Sequence, residues 1–303
     1  MKRILHFSIP LMLLLVGSIL NANNVLGHTF SGDESASFLA GVEMTKIELK
    51  MAADQAVSNA TNAKEHADHL TEHITANDTK EIKERNSRVA DELNKTLTDF
   101  VNAIESSSPA QSDVNTKASN INDILSEVVS ARIDKEQLDN VTVKALVVND
   151  LVGEGLEHYG SALGMAEEGH DENESNTASS EHTENQNNET ASIVDVADYQ
   201  SAQAAVSRAI ELYNEIKPAG DSNSSQLTDS LNTLKSKIDS KSAFDEIDKV
   251  VDDKISPLLS DMFKLKLAEE EEHSEGDDHG QEDDHGEEGH GSSQNETHDA
   301  NTD

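Results

Sequence analysis

Apolar residues recur along the chain with the 3.6-residue period of an amphipathic helix, in two blocks separated by long polar stretches. In the first block, Phe38, Val42, Leu49, Ala56, Ala63, Ala67, Leu70 and Ile74 fall on one stripe. This predicts a single long helix of about 40 residues from Asp33. Asp78 with Glu81 resembles a capping box and predicts the start of a second helix. Its stripe is Ile82, Val89, Leu93, Leu97, Phe100, Val101 and Ile104, and Ser106 to Pro109 ends it. Val114, Ala118, Ile121, Leu125 and Val128 mark a third helix. Val141, Ala145, Val148, Val152, Leu156, Tyr159 and Leu163 mark a fourth.

The second block, Ile193 to Leu267, carries three shorter stripes. Val196, Tyr199, Val206, Ile210 and Tyr213 form one, stopped by Pro218-Ala219-Gly220. Leu227, Leu231, Leu234 and Ile238 form the next. Phe244, Ile247, Val251, Leu258 and Met262 form the last, with a kink expected at Pro257. The order of three helices echoes the second to fourth helices of the first block, as a decayed duplication would. Short links between amphipathic helices predict antiparallel packing. The expected fold is therefore all-α: a four-helix bundle over residues 28–165 and a three-helix unit over 193–267, the latter small enough to need the former for stability.

The acid is concentrated between and after these blocks. The formal charge is -37, from 60 Asp+Glu against 23 Lys+Arg. Ala166 to Ala191 holds eight acids and Ala268 to Asp303 fifteen, both without Lys or Arg. Neither stretch has apolar periodicity to offset the entropy of ordering, so a disordered acidic linker (166–192) and tail (268–303) are expected. A surface this acidic repels phosphate, which excludes nucleic acid as a partner. With no Cys there is no disulfide frame and no thiolate metal site. With no Trp and 3% aromatics, a large pocket for a flat cofactor is not expected.

Residues 1–27 read as an export signal: Lys2 and Arg3, then an apolar stretch from Ile4 to Leu20, then small residues. Cleavage after Gly27 leaves His28 first; cleavage after Ala22 competes, and so does retention as a membrane anchor. Either way the rest lies outside the cell membrane, and contact with membrane is expected only through an uncleaved signal. Asn-x-Ser/Thr sequons at Asn59, Asn77, Asn94, Asn140, Asn173, Asn188, Asn223 and Asn295 fit a secreted or cell-surface glycoprotein. Export without cysteine fits a bacterial or archaeal envelope, and the sequons favour an archaeal one.

Candidate chemistry lies with histidine. His66, His69 and His73 stand at i, i+3 and i+7, within about 60° on one helix face beside Glu65, Asp68 and Glu72. They are expected to flank the buried stripe as a polar face. Imidazoles and carboxylates suit zinc, copper or another late first-row ion. Because i and i+7 on a straight helix are about 10 Å apart, only one pair can chelate and another helix must complete the set. A first-position His28 would pair its amine and imidazole on copper, as in half of a histidine brace. In the tail, His273, His279, His285 and His290, with His298 beyond, sit among carboxylates and glycines and would collect ions loosely. Glu154, Glu157 and His158 have the spacing of bundle iron ligands, but the stripe through Val152, Leu156, Tyr159 and Leu163 points away, so a solvated face is expected there.

Two segments carry a family resemblance. HTFSGDESASFLAGVE (28–43) and DVADYQSAQAAVSRAIELYNEI (195–216) resemble secreted helical proteins of ammonia-oxidising archaea. The second is also loosely similar to the extracytoplasmic helical domain of iron permeases. The first resemblance implies an exported helical protein; the second implies metal delivery, to iron among other ions, although an imelysin-type Gly-x-His-x-x-Glu is missing. No nucleophile–base pair, phosphate loop or cofactor motif points to an enzyme. The expected function is extracytoplasmic metal binding or buffering, with divalent metal ions as ligands and a cell-surface or membrane transport protein as a possible partner. The alternative is a glycosylated structural or interaction protein at the cell surface.

Overall fold

A computed structural model describes residues 32–165 and 191–265. The signal segment with His28, nearly all of the acidic linker, and the tail with His273, His279, His285 and His290 lie outside the described residues. Every element among the described residues is helical: α1 (Gly32–Gln55), α2 (Ala60–His69), α3 (Ala76–Arg85), α4 (Ser87–Ile104), α5 (Gln111–Arg132), the single turn α6 (Lys135–Leu138), α7 (Val141–Ala162), α8 (Val196–Ile216), α9 (Ser222–Asp239), α10 (Phe244–Val250) and α11 (Ser256–Phe263). The all-α class is as the periodicity requires. No helix among the described residues is long and apolar enough to cross a membrane.

Polar caps divide the stripes more finely than their period suggests. The expected 40-residue first helix is two helices, because Asn59 leaves helical geometry and its side chain accepts from the Asn62 amide at 3.4 Å. Asn86 breaks the expected second helix in the same way and caps α4. The capping box at the start of α3 is formed by Thr75 and Asp78, not by Asp78 and Glu81. Glu81 instead joins Asp78 in holding the buried Arg132, at 2.7 and 2.8 Å, which ties α3 to the end of α5.

Near Pro257 the chain widens into a π turn at Val251–Ile255, where the Ser256 amide reaches back to the Val251 carbonyl. Proline has no N–H to continue the α pattern, and the wider turn accommodates it without breaking the helix.

The buried apolar side chains form two clusters that do not follow the expected four-plus-three grouping. One joins one face of α1 (Phe38, Val42, Leu49, Ala53) to α2–α5. The other joins the opposite face of α1 (Ala36, Ala40, Met44) to α7 and α8–α11. A helix apolar on two faces must be buried on both, and α1 lies between the clusters. Helix α7 packs along α8, on the far side of the 166–190 segment. Their close approach depends on Gly155: a Cβ there would lie 2.7 Å from Val206 Cγ2 on α8 and 3.5 Å from the Ala202 carbonyl oxygen. Tyr159 fastens the same region by donating to the Ser242 carbonyl at 2.6 Å.

Candidate metal centre

Where α1, α2, α7 and α8 meet, polar side chains converge that the sequence scatters over 150 positions. Glu48 comes from the middle of α1, His66 and His69 from α2, and His73 from the turn after it. Glu154 and His158 come from α7, and Asp198 and Gln200 from the first turns of α8. Gly41 sets the position of His73: a Cβ at Gly41 would stand 2.3 Å from the His73 carbonyl oxygen. Only glycine lets the turn lie this close to α1.

His66 is fully buried and both ring nitrogens are engaged. Nδ1 lies 2.7 Å from Glu48 Oε2, and Nε2 lies 3.0 Å from Gln200 Oε1. The Gln200 oxygen also accepts from Gln55 Nε2 at 2.8 Å. His69 lies between two carboxylates, with Nδ1 3.9 Å from Glu48 Oε2 and Nε2 3.9 Å from Asp198 Oδ1. His158 Nδ1 is 2.9 Å from Asp198 Oδ1, and its ring is 5.6 Å from that of His69 and 5.8 Å from that of His73. His73 Nδ1 lies 3.7 Å from Glu154 Oε2.

Three buried polar atoms here have no hydrogen-bond partner: Glu48 Oε1, His69 Nδ1 and His73 Nε2. A buried polar atom without a partner costs about 1–3 kcal/mol, so three in one cluster call for an explanation. Donor sets that could hold a metal ion supply one. Glu48–His73–His158, Glu48–His66–His69 and His69–His158–Asp198 each place one donor atom per residue within 4.8 Å of the others. The cluster opens on a cleft of about 840 Å³. Its walls carry Glu34, Glu72, Asp78, Glu154, Glu157 and Asp198 against the single cation Arg132, so the mouth attracts cations.

The charge states follow from these contacts. Burial works against charge on Glu48, but the His66 hydrogen bond outweighs it and holds the carboxyl below its ordinary pKa. Burial is likewise outweighed at His66 by Glu48 and Gln200, and at His158 by Asp198 and Glu48, so both imidazoles sit above the usual histidine value. At His73 burial prevails, reinforced by the neighbouring His158, and lowers the pKa to about 4. His73 is therefore neutral at physiological pH with an available lone pair. Burial, then Glu157, raises Glu154.

Of the expected candidates, the structure brings His66, His69 and His73 together, but not as a face flanking the core. His66 is wholly enclosed, because α8 covers the side of α2 that helical period alone assigns to solvent. The solvated-face expectation for Glu154, Glu157 and His158 is overturned at His158, which α8 covers and which is 8% exposed; Glu154 is half-buried and Glu157 exposed. Glu48, Asp198 and Gln200 went unnoticed in the sequence. One signal was present: Glu48 continues the row Gly41, Thr45, Ala52 on a helix with two apolar sides, where a charged residue needs a partner. Comparison of the chain with family models, with curated proteins and with solved structures gives no match, so this geometry alone carries the functional argument.

Proposed function

We propose that the protein binds or buffers transition-metal ions outside the cytoplasm, with a tight centre where α1, α2, α7 and α8 meet and loose capture by the histidines of the tail. The observation that carries this reading is that Glu48 Oε1, His69 Nδ1 and His73 Nε2 are buried without a hydrogen-bond partner and belong to overlapping donor groups, of which His69, His73, His158 and Asp198 line one acidic cleft. The reading of residues 1–27 as an export signal and the Glu/Asp-flanked His tract of the tail support an extracytoplasmic setting for this role.

The test is equilibrium dialysis of the full chain against Zn(II) and Cu(II). The comparison proteins are a variant with His273, His279, His285, His290 and His298 replaced by Ala, and a Glu48→Gln/His73→Ala double variant. Loss of one tight equivalent in the double variant, and of weak equivalents in the tail variant, supports the reading. Unchanged tight binding in the double variant refutes it. A second reading, a glycosylated surface protein, is favoured by the exposure of Asn59, Asn77, Asn94 and Asn140 in their sequons. It predicts glycan mass at those residues and indifference to metal.

A further inference from the structure

We infer that the centre takes one hydrated divalent ion of the nitrogen-preferring class (zinc, copper(II), nickel or cobalt) on His69, His73, His158 and Glu48 Oε1, while His66 positions Glu48 and does not ligate. This rests on the metal-binding reading above.

Hydrogen-bond direction separates His66 from the other three histidines. Gln200 Oε1 is a carbonyl oxygen and can only accept, so His66 Nε2 must carry a proton. Nδ1 is committed to Glu48 at 2.7 Å. A fully buried ring with both nitrogens engaged has no lone pair to offer without breaking a contact. The other histidines keep a nitrogen free. Asp198 takes His158 Nδ1 and leaves Nε2; Glu154 stands beside His73 Nδ1, and Nε2 is without a partner; His69 Nδ1 is also without one. Glu48 divides in the same way, with Oε2 to His66 and Oε1 outside hydrogen-bond geometry, the nearby Ser201 hydroxyl donating to the Ala197 carbonyl. His158 and Glu48 are thus oriented from behind by hydrogen bonds to Asp198 and His66, as the ligands of metal sites characteristically are, and Glu154 and Asp198 stand 3.7 and 3.9 Å from the far nitrogens of His73 and His69.

The count of ions follows. A second ion in either of the other donor groups would share Glu48 or His158 with the first and would draw on His66 or Asp198, both already hydrogen-bonded. The class follows from the donors: three imidazoles and one carboxylate suit the late divalent ions, whereas calcium and magnesium require oxygen shells and copper(I) prefers sulfur. Glu48, His73 and His158 already place donor atoms within 4.8 Å of one another, whereas His69 groups with Glu48 beside His66 and with His158 beside Asp198, so on loading the first three draw in toward the ~3.4 Å spacing of ligands about 2 Å from an ion and the His69 ring turns in to join them. His73 sits in the turn between α2 and α3, which has the freedom to supply that movement. Glu34, Glu72, Glu154 and Glu157 at the mouth admit an aquo cation and repel an anionic chelate.

The test uses the full chain with its five tail histidines replaced by Ala, so that only the buried centre is read. Zinc is titrated against a competing chelator, and copper(II) is loaded for pulsed EPR, which counts coordinated imidazoles. One ion per chain, three imidazole couplings and no displacement by excess calcium are expected. His73→Ala and His158→Ala should each remove one coupling and weaken zinc binding by roughly 100-fold or more. His66→Gln should weaken it by about 10–100-fold while all three couplings persist. Gln200→Leu, which keeps every histidine, should do the same and serves as the second probe should His66→Gln fail to fold. Two ions per chain, or a coupling lost in His66→Gln, overturns this assignment and leaves metal binding intact. Unaltered titration in Glu48→Gln/His73→Ala overturns the reading of this cluster as the metal centre.

Discussion

Gly41 offers a direct test of how the centre is built. Replacing its hydrogen by a methyl group puts a carbon 2.3 Å from the His73 carbonyl oxygen, where ordinary contact begins near 3.4 Å, so one partner must retreat by about 1.1 Å. The obstacle is backbone on both sides, and no side-chain rotation relieves it. Overpacking of this kind costs about 1–3 kcal/mol. Alanine recovers about 0.5–1 kcal/mol by its better helix propensity. Gly41→Ala should therefore destabilise the metal-free protein by about 0.5–2 kcal/mol, a fall in Tm of about 1–8 °C for a chain of this size. The control is Gly153→Ala on the exposed side of α7, where a Cβ meets nothing within 4 Å. There only the propensity gain applies, and Tm should rise. Both are read by thermal unfolding followed by circular dichroism, with zinc titration alongside. Displacing the His73 turn should also weaken zinc binding by roughly tenfold or more, since donors must be held to about 0.5 Å. A Gly41→Ala protein as stable as the parent and with equal zinc affinity would disprove the close approach of α1 to that turn.

Acid should distinguish His73 from its neighbours. Its folded pKa of about 4 lies below the unfolded value, so the native state refuses a proton that the unfolded chain accepts between about pH 6.5 and 4. Stability contributed by neutral His73 is thus present above that window and lost within it. The stability difference between wild type and His73→Gln in chelator should shift by about 3 kcal/mol against the wild type from pH 7 to pH 4, by denaturant titration; a pH-independent difference would contradict its burial. Gly155→Ala, with its Cβ 2.7 Å from Val206 Cγ2, should cost about 1–2 kcal/mol, and Val206→Ala should restore part of the loss in a double-mutant cycle. Arg132→Met leaves Asp78 and Glu81 without their guanidinium and should cost about 2–3 kcal/mol in urea unfolding, with Arg132→Lys recovering only part. Lys95→Ala, at an exposed i,i+4 pair with Asp99, should leave the urea midpoint unchanged, because solvent screens such a pair.

Helix positions were legible because period reports burial: the stripes of α4, α5 and α9 fall on buried residues, save the partly buried Val101 and Ala118. Breaks at Asn59 and Asn86 were not, since asparagine is equally at home on an exposed helix face and only the cap bond decides. The histidines of α2 were legible as metal-type chemistry, yet their surroundings were not. Burial of His66 and His158 is imposed by α8, more than 30 residues further along the chain, and helical period carries no information about what covers a second face. Asp198 and Gln200 lie between and beside the stripe residues Val196 and Tyr199 and look like ordinary polar residues of the first turns. Their role exists only once Gly155 has let the two helices touch.

The packing of α7 on α8 has a consequence for how the molecule would behave if cut. The 25 residues between 166 and 190 join two helices that hold each other without them. A protease acting there would divide the chain yet leave the fragments clasped through the shared apolar interface, with Glu48, His73 and His158 on one piece and Asp198 and Gln200 on the other. The two pieces produced separately would then complement each other, and recovery of ion affinity on mixing would report their reunion.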